Sequence, residues 1–167
     1  DLVITMLRLG DMDLTSFCAA VKEYDANLPV VLIAYQSREL QLSLESDDFS
    51  LLDKVFIWTG DRKIFLAIIK LLEDLRNAPV DCLDFGVRTI LLLEDSPAFY
   101  SSYLPLIFTD LINQGHSLIE EGKNFADRLL RQRARPKILH AVSFEEAVRY
   151  YDKYKSTLLG VITDMKV

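Results

Sequence analysis

The sequence predicts an α/β protein built on a doubly wound parallel sheet with helices on its faces. Short apolar, β-branched runs alternate with longer amphipathic stretches, the pattern of strands joined by crossover helices. Two runs, Val30-Val31-Leu32-Ile33 and Ile90-Leu91-Leu92-Leu93, are continuously apolar, as expected of strands buried on both faces. The composition agrees: 167 residues, 50% hydrophobic and 26% charged, with six glycines and five prolines, exclude a disordered, collagenous or low-complexity chain.

Strands are predicted at residues 2–6, 29–33 and 55–58, and again at 89–93, 138–142 and 158–163. Helical spacing marks residues 11–23, where Leu14, Phe17, Cys18 and Val21 share a face, and a short stretch at 38–44. The broadest apolar stripe runs along residues 61–75 through Ile64, Phe65, Ile68, Ile69, Leu71, Leu72 and Leu75. Asn77-Ala78-Pro79-Val80-Asp81 reads as a breaker, so residues 79–86 are expected to link two segments, 1–78 and 87–167. Pro97 suits the first turn of a helix running to about Gln114, which Pro105 is expected to kink or break. A further polar helix is expected at 117–133. Ser143 opens the last one, with Glu145 and Glu146 in its first turn.

Nineteen basic against 25 acidic residues give a net charge of -6, unfavourable for binding DNA through its phosphates. Cys18 and Cys82 are too few for a disulfide framework and read as reduced thiols. No apolar run is long enough to span a bilayer, and the opening residues carry no basic signal region. A cytoplasmic location without membrane attachment is therefore expected.

The two ends of the chain repeat each other. Val3-Ile4-Thr5 recurs as Val161-Ile162-Thr163, in the same apolar context. Met6 then stands where Asp164 stands, and Arg8 where Lys166 stands. One copy thus lacks a carboxylate that the other keeps. The strand at 89–93 runs into Glu94-Asp95, and the strand at 158–163 into Asp164. Sites in open α/β sheets form outside the carboxyl ends of strands. If these strands are neighbours, three carboxylates converge. Their repulsion calls for a cation, and Mg2+ with its oxygen ligands suits the demand. An Asp carboxylate can then accept a phosphoryl group.

These residues resemble the receiver domain of two-component response regulators. Ile90-Leu91-Leu92-Leu93-Glu94-Asp95-Ser96-Pro97 is similar to the first strand and acidic pair of that family. Val161-Ile162-Thr163-Asp164-Met165-Lys166 is similar to its third strand. The resemblance implies a flavodoxin-like sheet, with Asp164 as phosphoacceptor. It implies that Glu94, Asp95, Asp164 and the Lys166 backbone carbonyl bind Mg2+. Residues 1–78 resemble the other half of a receiver, its strands three to five, in degenerate form. Met6 stands at the acceptor position, Ala34 where the family has Ser or Thr, and Thr59 near where it has Lys. Residues 87–167 would supply strands one to three, with an insert near 117–136. Neither half closes a five-stranded sheet alone, so the halves are expected to combine by circular permutation or domain swapping.

The function implied is phosphorylation-dependent signal transduction, as in a phosphorelay. The implied partner is a sensor histidine kinase or a phosphotransfer protein, with a homodimer as a further association. A pseudo-receiver serving only as an interaction scaffold is the alternative, and a metal-dependent phosphohydrolase using the same acids is a third. No enzymatic activity beyond receiver phosphorylation and dephosphorylation is expected. Arg128, Arg131, Arg133, Arg135 and Lys137 read as a solvated face or a docking patch. His116 reads as a helix-end residue and His140 as a structural one. No zinc spacing, phosphate loop or dinucleotide fingerprint is present.

Overall fold

A computed structural model describes residues 1–35, 49–120 and 135–164, with side chains throughout except at 116–120. The described elements run β1 (Val3–Met6), α1 (Leu14–Tyr24), β2 (Val30–Ala34), β3 (Lys54–Ile57), α2 (Lys63–Leu83), β4 (Thr89–Leu93), α3 (Pro97–Glu120), β5 (Lys137–Ala141), α4 (Phe144–Tyr154) and β6 (Leu158–Thr163). The strands form two parallel three-stranded sheets, ordered β1-β2-β3 and β5-β4-β6. The chain divides into two compact units. The first is Asp1–Asp61 with Pro97–Ser102, and the second is Arg62–Ser96 with Tyr103–Val167.

In the first unit β2 is the central strand and all five of its residues are buried. Helix α1 starts at Asp13, whose carboxylate accepts the backbone N–H and the hydroxyl of Ser16. Those bonds hold the Asp13 carboxyl below its ordinary value. Leu14 and Cys18 turn inward to join Val30, Leu32, Ala34 and Ile57 in one apolar cluster. The outer edge of β3 is closed by side chains from the first turns of α3. The Ile57 N–H donates to Ser101 Oγ at 2.9 Å, and the Tyr100 hydroxyl donates to the Val55 carbonyl. The Tyr100 ring meets Phe56 edge-on, with centroids 5.4 Å apart.

In the second unit β4 is central, flanked by β5 and β6. Ala78 and Cys82 of α2 pack with Leu91, Leu139, Ala141, Ala147 and Tyr154. The outer edge of β5 is closed in the same manner as that of β3, here by a buried carboxylate. Asp74 Oδ2 accepts the Ile138 N–H at 2.9 Å, and both Asp74 oxygens accept from the Arg135 guanidinium at 2.6 and 2.9 Å. Lys137 pairs with Asp81 at 2.8 Å. Burial pushes the Asp74 carboxyl up from its ordinary value, against the opposing bonds and charge of Arg135. Strand β6 is different: Leu159, Val161 and Ile162 are all about half exposed, at 53%, 49% and 44%.

Several expectations need correction. Residues 79–83 are not a linker, because α2 continues through Pro79 to Leu83 and the turn follows at Asp84–Gly86, with Gly86 at φ +68°. The buried contacts of Ala78, Asp81 and Cys82 outweigh the local signal of the proline. Pro105 does not end its helix either, since α3 runs on to Glu120. Arg135 and Lys137 are not a solvated face: they are the cations of the buried pairs just described. The six described strands, moreover, lie in two separate sheets and not in one five-stranded sheet. The separate helix expected at 117–133 does not begin at 117, because residues 117–120 continue α3. Residues 121–133, the helix expected at 38–44 and most of the expected insert lie outside the described residues.

Candidate functional site

The candidate site is the carboxyl end of the β5-β4-β6 sheet. Its geometry follows from the pairing of β4 with β6. Thr89 lies opposite Leu158, and the register then shifts by one residue, so that Ile90 lies opposite Gly160 and Leu93 opposite Thr163. Glu94 and Asp164 are each the next residue after that last pair. Neighbouring strands run ~4.8 Å apart, so the two acidic chain segments leave the sheet side by side. Asp95 and Asp164 are exposed, whereas Glu94 is buried.

The turn after β4 is held at several points. The Glu94 N–H donates to the Ala141 carbonyl at 3.1 Å. Glu94 Oε1 accepts the Ser96 N–H at 3.0 Å. His140 Nε2 lies 2.9 Å from the Glu94 carbonyl oxygen, and His140 is fully buried. A carbonyl oxygen only accepts, so Nε2 carries the proton of this bond. The Glu94 carboxylate is thus directed into the turn that carries Asp95.

Of the residues singled out in the sequence, Glu94, Asp95 and Asp164 lie just past the ends of the paired strands β4 and β6. Lys166 lies outside the described residues. Met6 ends β1, Ala34 ends β2 and Thr59 lies just past β3, all three in the first unit. Met6 is 47% exposed and its sulfur lies 3.4 Å from the Tyr35 hydroxyl. His140 and Ser96 escaped the sequence reading as parts of the acidic turn. The only signal was the position of His140 in a strand pairing alongside β4, opposite Leu92.

Among the described residues no group of three or more His, Cys, Asp or Glu side chains is gathered to hold a metal ion. The donor chemistry at the sheet end is nonetheless all oxygen, and two of its carboxylates face solvent. That fits Mg2+, which commonly takes one or two carboxylates and keeps several waters. It does not fit zinc, which favours nitrogen and sulfur ligands. No helix among the described residues is long and apolar enough to cross a membrane. The chain matches no protein-family model, no curated protein and no solved structure.

Proposed function

We propose that the second unit is a receiver-type module that takes a phosphoryl group on Asp164 with Mg2+, and that the chain serves phosphorylation-dependent signalling. The observation carrying this reading is the register that sets Leu93 opposite Thr163, because it aligns the acidic pair with Asp164 at one sheet end. The strand orders support it too. A flavodoxin-like sheet runs 2-1-3-4-5. The order β5-β4-β6 corresponds to its 2-1-3 part and β1-β2-β3 to its 3-4-5 part.

Within this reading an Asp164 carboxylate oxygen attacks phosphorus. A P–O bond to Asp164 forms as the P–N bond of a phosphohistidine, or the P–O bond of a small acyl phosphate, breaks. The donor group leaves with the bonding pair, and Asp164 becomes an acyl phosphate. Asp95 and Asp164 would hold Mg2+, which when bound neutralises charge on the oxygens of the transferring group. Glu94, buried and bonded to the Ser96 N–H, keeps the Asp95 turn in place. The kinase or phosphotransfer partner, the homodimer and the cytoplasmic setting belong to the same proposal.

A scaffold role is the second reading, favoured by the first unit: its strands end in Met6, Ala34 and Ile57, none of them a carboxylate. Acetyl phosphate with Mg2+, followed by intact mass, tests both. Gain of one phosphoryl group, abolished by Asp164→Asn, supports the receiver. No gain, with no binding of beryllofluoride and Mg2+, favours the scaffold. Turnover of a phosphomonoester would instead favour a phosphohydrolase.

A further inference from the structure

We infer that His140 is a positioning residue for the acidic turn, acting on Mg2+ binding through the Glu94 carbonyl without touching the metal; the inference rests on the receiver reading above. His140 belongs to β5 and Asp95 to the turn after β4, so the link crosses between strands. Beyond Leu93 the β4 backbone has two anchors on the β5 side. The Glu94 N–H reaches the Ala141 carbonyl, and the Glu94 carbonyl receives the His140 Nε2–H. The first is ordinary sheet pairing, and any residue at 141 other than a strand breaker supplies it. The second needs a side-chain donor of the reach of His at position 140.

Fully buried histidine is uncommon in an apolar strand such as Lys137–Ala141, because its ring nitrogens need partners. Its neighbours Ile138, Leu139 and Ala141 show what simple packing would place there. The bond spent on the Glu94 carbonyl fixes the peptide plane joining Glu94 to Asp95. That plane sets where the Asp95 side chain leaves the backbone. Groups standing behind metal ligands commonly alter affinity by 10–100-fold when removed. His140 stands one step further back, behind the backbone of a ligand, so an effect near the lower end of that range is expected.

The test compares the intact chain with His140→Gln, whose amide nitrogen can reach the Nε2 position, and His140→Leu, which fills the space without a donor. Two quantities are read for each protein: Mg2+ affinity, from titration of the Asp95, Ser96 and Asp164 amide NMR shifts, and hydrogen exchange of the Ser96 amide without metal. The expected result is Mg2+ binding weakened roughly tenfold in His140→Leu, faster Ser96 exchange in the same variant, and recovery of both in His140→Gln. Unchanged affinity in His140→Leu, while the parent chain binds Mg2+, overturns the positioning role and leaves the receiver reading standing. Equal losses in both variants overturn it as well, because His140 would then be acting through packing. A parent chain that does not take up Mg2+ at all overturns the receiver reading and this inference together.

Discussion

Leu93 of β4 lies opposite Thr163 of β6, although Thr89 at the start of the same strand lies opposite Leu158. Four steps along β4 are therefore matched by five along β6. The additional residue of β6 falls at Leu159, between the partners of Thr89 and Ile90. Were Leu159 paired with Ile90 in a regular ladder, Glu94 would face Thr163 and Asp164 would align one residue further on. The irregularity brings Asp164 level with Glu94.

Inserting one alanine between Thr163 and Asp164 should therefore keep the ladder as it is and move Asp164 out of line. Misplacing a reacting group by about 1 Å can cost on the order of 100-fold in rate. Phosphoryl incorporation from acetyl phosphate should fall by about that factor, while circular dichroism stays close to that of the parent. Unchanged incorporation would separate the register from the chemistry.

Asp74→Ala removes the shared partner of Arg135 and the Ile138 N–H from a fully buried position. Breaking a buried pair by deleting one member typically costs about 3–5 kcal/mol, because the other charge stays behind unpaired. Urea unfolding should show a loss of that size. Asp152→Ala breaks the exposed contact with Lys155 and should change stability by no more than about 0.5 kcal/mol.

Ser101→Ala leaves the Ile57 N–H buried without its acceptor. An unsatisfied buried donor costs about 1–3 kcal/mol, partly offset by about 0.5 kcal/mol from the better helix propensity of alanine. Exchange of the Ile57 amide should quicken before that of Phe56, an adjacent residue on the other side of the ladder alternation.

Alkaline pH should destabilise the fold. Burial pushes the Cys82 thiol up from 9.0 to about 11 and the Tyr150 hydroxyl up from 10.0 to about 12. Across that interval the folded chain keeps protons that the unfolded chain has released. The stability linked to these groups is complete below pH 9.0 and drains away as pH rises toward about 11 and about 12. The urea midpoint should fall through this window, and Cys82→Ala should flatten the early part of the slope.

The strands were readable in the sequence because apolar runs such as Thr89–Leu93 and Leu158–Thr163 have a single plausible use. Ser143 likewise announced α4, and its hydroxyl accepts the Glu146 N–H as a helix cap should. What escaped were the places where distant residues overrule local ones. Asp74 and Asp81 continue the buried stripe of α2, yet their cations lie in β5, and no local pattern links helix and strand. Pro79 signalled an end that those contacts override. The acidic candidates stood out as acids at strand ends, whereas His140 shows its part only when β5 is laid beside β4.

Each sheet has one border stitched shut by side chains, through Ser101 and Tyr100 on β3 and through Asp74 on β5. In the second sheet the opposite border is the half-exposed, apolar β6. Growth of that sheet is thereby confined to one direction. A parallel strand laid along β6 would finish beside Asp164, and the residue at its tip would stand next to that carboxylate.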